Sequence, residues 1–179
     1  SDGGVETAPP AEKTPFASVT FFEADLDEAI PPEAASSLAD LYTFIDTRLA
    51  SPNLFHAVRV DGRFSYVKTR SVPRQTPPYR PLAEVAKTQP VFEFHDVEGT
   101  LLGFRCPEFV KGVNVTGYHL HFLTRDGSGG GHLLECAMTE GRLRIDETSQ
   151  FQMRLPETGA FLKTNLVRDR SGDLKRVEK

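Results

Sequence analysis

Alternating apolar and polar residues fill most of this chain and predict a strand-rich molecule with one amphipathic helix. Residues 1–14 break the pattern: they are rich in Gly, Pro and charge and read as a disordered or extended arm. The aromatic and β-branched run FASVTFF, residues 16–22, predicts a first strand. Pro31 and Pro32 then introduce a helix over residues 32–49, where Leu38, Leu41, Tyr42, Ile45 and Leu49 recur at spacings of three and four and share one face. Ser51, Pro52 and Asn53 stop it.

Beyond the helix the pattern is one of short strands and turns. LFHAVRV and RFSYVKTR flank Asp61-Gly62, a dipeptide suited to a tight hairpin turn. Residues 71–81 hold Pro73, Pro77, Pro78 and Pro81 and read as an ordered loop or extended lid, followed by a short helix near residues 82–87. VFEFHDVEG and TLLGFRC suggest a second hairpin around Glu98-Gly99. Strands are expected over residues 115–124, 132–138, 143–145 and 151–155, with turns at Gly129 to Gly131 and at Gly141. Consecutive antiparallel strands with short turns predict a small barrel or a strongly curved sheet. The charged tail from Arg168 reads as a short helix or a frayed end.

Composition narrows the function classes. The 179 residues are 39% hydrophobic and 26% charged, the balance of a folded globular protein. A net charge of −4 gives no electrostatic case for nucleic acid. No apolar stretch is long enough for a membrane helix. No signal peptide is visible, but the chain opens on SDGG without an initiator Met, so cytoplasmic and secreted settings both stay open. The two cysteines, Cys106 and Cys136, sit in or beside apolar stretches and read as buried free thiols.

The chemistry concentrates in GYHLHFLTRDGSGGGHLLE. His119 and His121 lie two apart on a predicted strand, so their side chains project together, roughly 7 Å apart along the backbone. The chain turns through RDGSGGG and returns with His132. Three imidazoles from two adjacent strands make a facial transition-metal site that leaves a position for water or substrate, the pattern of a catalytic rather than a structural zinc. Iron, manganese, cobalt and nickel also accept nitrogen ligands, and a cupin-like oxygenase or isomerase is the competing reading. The triple glycine suggests a backbone passing where a Cβ would not fit. There is no HExxH, no GxGxxG and no P-loop, so a zincin protease and a nucleotide cofactor are disfavoured. His56 and His95 read as structural or surface residues. Strand parity puts Tyr118 opposite His119 and Glu135 off the His132 face.

Three stretches, TPFASVTFF, VKTRSVPRQTPPYRPL and GVNVTGYHLHFLTRDGSGGGHLLE, resemble the alpha-acetolactate decarboxylase family. The resemblance implies conversion of (S)-2-acetolactate, a small hydroxy-keto acid, to (R)-acetoin with Zn2+ on three histidines that match His119, His121 and His132. It implies an arginine pointing into the site, matched by Arg70 in VKTRSVP, and a glutamate near the C-terminus, best matched by Glu178. A further family glutamate lies upstream of the TPFASVTFF match, before this chain opens. An inactive zinc-binding remnant is therefore a further reading.

The implied fold class is α+β: a mixed β-sheet with helices merged with a C-terminal antiparallel barrel-like β domain. The corresponding division is a flexible arm at 1–14, an α+β sheet domain at 15–98 that is N-terminally incomplete, and a metal-binding domain at 99–179. The resemblance also implies a homodimer.

The chemistry agrees with the absence of organic cofactor motifs. Loss of CO2 from a 2-hydroxy-3-oxo acid leaves its electrons on the neighbouring ketone, so a Lewis acid suffices. The planar fork of Arg70 suits a carboxylate, and a glutamate such as Glu178 suits protonation of the carbanion equivalent.

Overall fold

A capping residue decides where the helical pattern becomes helix. Ser37 accepts a hydrogen bond from the Asp40 N–H at 3.2 Å and donates its hydroxyl to the Asp40 carboxylate at 2.7 Å, a pairing that satisfies a free helix-end donor. Helix α1 (Leu38–Asp46) starts there, while Pro32–Ala35 forms a separate 3-10 turn. The predicted helix is thus shorter than residues 32–49. Leu41, Phe44 and Ile45 are buried, with Leu38, Tyr42 and Leu49 packed partly against the same core.

The computed structural model describes residues 3–12, 14, 16–76, 80, 82–157, 159–165 and 167. Among these residues five strands form one sheet: β1 (Leu26–Ile30), β2 (Phe55–Arg70), β3 (Val91–Cys106), β4 (Gly117–Thr124) and β5 (Gly130–Thr148). Their order is β1-β5-β2-β3-β4, with β5 also pairing β4. Short helices α2 (Leu82–Val85) and α3 (Gly159–Leu162) and a 3-10 turn at Glu108–Val110 lie outside the sheet. Val58, Val60, Phe64 and Val67 of β2 pack with Leu101, Leu120, Phe122, Leu143 and Ile145 and with α1 on one face of the sheet. Phe64 is fully buried, worth ~1.5–3 kcal/mol by burial alone.

The expected barrel-like domain beside a mixed sheet does not form. Every ladder between the named strands is antiparallel, and the strands make one curled sheet. The cause lies at three glycines read as turns. Gly62, Gly99 and Gly141 are cross-strand neighbours in the middles of β2, β3 and β5. A Cβ on Gly62 would meet the Glu140 carbonyl oxygen at 2.3 Å, so glycine here permits close strand approach in place of a turn. Asp61 does not turn either. Its carboxylate accepts from Arg59 at 2.9 Å and Thr100 at 2.6 Å and from Arg144, holding three strands together. Each pair of expected short strands is therefore one strand of 16 to 19 residues.

The edge of β5 away from β2 is shared. β4 pairs with it at His121↔His132, Phe122↔Gly131 and Leu123↔Gly130, and β1 pairs further on at residues 141–145. The sheet curls back on itself over those three β4 pairs.

Two other strands expected from pattern are absent. Residues 16–22 join no ladder, and Val19 and Phe21 are 90% and 99% exposed. A strand needs a neighbour as well as propensity. Residues 151–155 likewise pair with nothing regular. The short helix near residues 82–87 forms as α2 and a 3-10 turn at Ala86–Thr88. Of the arm, residues 3–5 lie against the glycine turn, with Gly130 N–H donating to Gly3 O and Val5 N–H to Ser128 O, both at 3.1 Å. The charged tail from Arg168 lies outside the described residues.

Candidate metal centre

Cross-strand register brings the site together. Arg70 of β2 pairs with His132 of β5, His132 pairs with His121 of β4, and His121 pairs with Leu102 of β3. His119 pairs with Phe104. Directly paired residues share a sheet face, so one row crosses four strands: arginine, histidine, histidine, leucine. It lies on the face opposite the main core.

A bulge in β5 aligns the row. Lys68 pairs with Glu135 but Thr69 pairs with Leu133, leaving Leu134 as an extra residue. Without it Arg70 would face Leu133. With it, His132 stands opposite Arg70. The same bulge overturns the parity count for Glu135, which shares the His132 face and accepts a hydrogen bond from Lys68 Nζ at 2.8 Å. Gly131 allows the close approach: its φ is +146°, and a Cβ would sit 2.7 Å from the Arg70 carbonyl oxygen. Gly130 and Gly131 thus admit neighbouring backbone, and Gly129 admits the Phe94 ring.

The three imidazoles form an almost equilateral triangle, with ring centroids 4.9, 5.1 and 5.3 Å apart. One ligand nitrogen from each lies within 4.8 Å of the others. The Nε2 atoms of His119 and His121 are 3.1 Å apart, close to the ~3.3 Å edge that tetrahedral geometry gives two nitrogens at zinc-like bond lengths of ~2.0–2.1 Å. Three nitrogens on one side also leave the far side of an ion open. The donor set therefore fits a transition-metal ion.

Electrostatics favours the ligating form. Burial, then the Arg70 charge, lowers the His119 pKa from its ordinary value. Burial and then Arg70 bring His132 down to about 3. His121 falls to about 4 through burial, His119 and Arg70, although its ring keeps more solvent contact than the other two. All three are neutral near pH 7, and a neutral imidazole presents the lone pair a metal needs.

Arg70 is 5% exposed, and its charge acts on all three rings. Glu178 lies outside the described residues. His56 is buried and His95 exposed, and Tyr118 stacks on Tyr42 at 4.0 Å, away from the histidine face. Cys106 and Cys136 are free and buried.

A cleft of about 190 Å³ opens beside His119 and His121. Its walls include Phe16, Leu102, Phe104 and Val115, none of which sequence reasoning singled out. The alternation Leu102-Gly103-Phe104 matches His119-Leu120-His121 across the ladder, but only the register reveals it.

Known proteins resemble this chain in both sequence and fold. The model of the alpha-acetolactate decarboxylase family matches residues 1–168. An alpha-acetolactate decarboxylase of Methanosarcina mazei is 54% identical over 166 residues, covering 93% of this chain and 57% of that protein. One of Klebsiella aerogenes is 45% identical, covering 93% and 63%. The crystal structure of the Bacillus subtilis strain 168 alpha-acetolactate decarboxylase superposes with a TM-score of 0.92 at 37% identity, covering 98% of this chain and 75% of that one. The chain thus spans roughly three-fifths of the two curated relatives. With a match over nearly its whole length and a shared fold, the chain belongs to the alpha-acetolactate decarboxylase family.

Proposed function

We propose that this protein decarboxylates (S)-2-acetolactate to (R)-acetoin at a zinc ion held by His119, His121 and His132. The observation that carries the reading is the Arg70–His132–His121 row, which joins a buried cation to a neutral nitrogen triangle. Bound there, zinc supplies a Lewis acid for the hydroxyl and ketone oxygens of the substrate.

The remaining work falls to the chain. Arg70 orients the substrate carboxylate with its planar donors. Too tight a grip would oppose loss of neutral CO2, so its task is alignment. Glu178 is the proposed acid that returns a proton to one face of the product carbon. The working unit is proposed to be a homodimer.

The test is acetoin release from racemic acetolactate with and without a chelator. Acetoin that appears with bound zinc and disappears on chelation supports the reading. Zinc-loaded protein that releases none rejects it for this chain, leaving an inactive zinc-binding remnant. Elemental analysis showing iron or manganese in place of zinc rejects the metal assignment.

A further inference from the structure

The residue row has two unlike ends. Arg70 closes one end with a positive charge, while Leu102 and Phe104 close the other beside His121 and His119. The Phe16 ring stands parallel to the His119 ring, 3° from coplanar orientation with centroids 6.3 Å apart, and forms an outer wall of the same cleft. Among the described residues, no Lys, Arg, Asp or Glu lines this cleft. Its one amide, Asn114, is already used: Nδ2 faces Cys106 Sγ at 3.6 Å and Oδ1 accepts the Val115 N–H at 2.9 Å.

We infer that this cleft is the alkyl subsite of the reaction centre, and that Leu102 and Phe16 set the length of alkyl group it takes. The inference rests on the decarboxylase reading. A 2-hydroxy-3-oxo acid presents a carboxylate and short alkyl groups on adjoining carbons. With the carboxylate towards Arg70 and both oxygens at the histidine triangle, the alkyl groups meet Leu102, Phe104 and Phe16. An uncharged cleft rewards that end and offers a carboxylate nothing. At about 190 Å³ it has room for about six water volumes of ~30 Å³ each, enough for a short alkyl chain and too little for a long one.

The experiment compares metal-loaded wild type, Leu102→Phe and Phe16→Ala. Each is given 2-acetolactate and the homologues with ethyl or propyl on the hydroxyl-bearing carbon. The same three proteins are titrated with non-reacting 2,3-dihydroxy-2-methylbutanoate and its 2-ethyl and 2-propyl homologues. Leu102 and Phe16 are 46% and 51% exposed, so neither change opens the core. Leu102→Phe should lower kcat/KM for the longer homologues by about tenfold relative to the methyl compound, the scale of one to two methylenes in a pocket. Phe16→Ala should shift the preference the other way, and the binding constants should follow both shifts. An unchanged preference in both variants, or no binding of any diol, overturns the subsite. Shifted binding preference without acetoin from any protein rejects decarboxylation and leaves the subsite standing.

Discussion

His121 and Arg70 make different demands on the same row. Removing one of three protein ligands should empty the centre, so His121→Ala is expected to lose most bound zinc on dialysis. Full zinc occupancy in that variant would contradict the assignment. Arg70→Ala should keep its zinc and lose turnover, which zinc analysis beside the acetoin assay separates.

His56 carries a different consequence. Its ring is fully buried, with Nε2 3.6 Å from a Glu147 carboxylate oxygen. Burial lowers its pKa, aided by the Arg105 charge and opposed by Glu147, Asp46 and a hydrogen bond with the Arg105 backbone. As pH falls below about 6.5, the unfolded chain takes up the proton first. The stabilising contribution is therefore complete above that pH and is lost as pH falls towards the folded value. The site histidines act in the same direction, so the measurement is a comparison at saturating zinc. His56→Leu should show a flatter loss of unfolding free energy between pH 7 and 5 than the parent, and parallel curves would refute the account.

At the scale of elements, glycine placement separates strand crossing from turn. A Cβ on Gly62 would lie 2.3 Å from the Glu140 carbonyl oxygen and 2.9 Å from the Gly141 Cα. Neither backbone atom can swing aside as a side chain would. Gly62→Ala is expected to destabilise by about 2–3 kcal/mol or more, within the range for overpacking. Gly159→Ala, whose Cβ meets nothing within 4 Å, should stay within about 0.5 kcal/mol. Urea midpoints of the two variants test the contrast.

For the whole molecule, one core supports the site from behind. Phe64 is fully buried and its ring meets the Phe122 ring edge-on at 5.2 Å. Phe122 follows His121 directly and points to the opposite face of β4, so packing on one side of the sheet sets backbone on the other. Phe64→Ala is expected to cost about 3–5 kcal/mol and to weaken zinc affinity without touching a ligand. Denaturation curves and a zinc competition titration check both parts, and unaltered affinity in the folded variant would remove the coupling.

By itself the sequence determined the candidate ligands, because His119 and His121 need only a strand's two-residue period and His132 only a short return. It also determined the apolar face of α1, a matter of local spacing. Only the tertiary structure decided whether Asp61-Gly62, Glu98-Gly99 and Gly141 turn or cross. Glycine permits both, and the choice depends on which backbone lies alongside. The bulge at Leu134, the pairing of His121 with Leu102, and the single curled sheet in place of a barrel-like domain depend equally on long-range register. Register is set by packing between residues far apart in the chain, and that is why the histidine cluster was legible in the sequence while the row completing it was not.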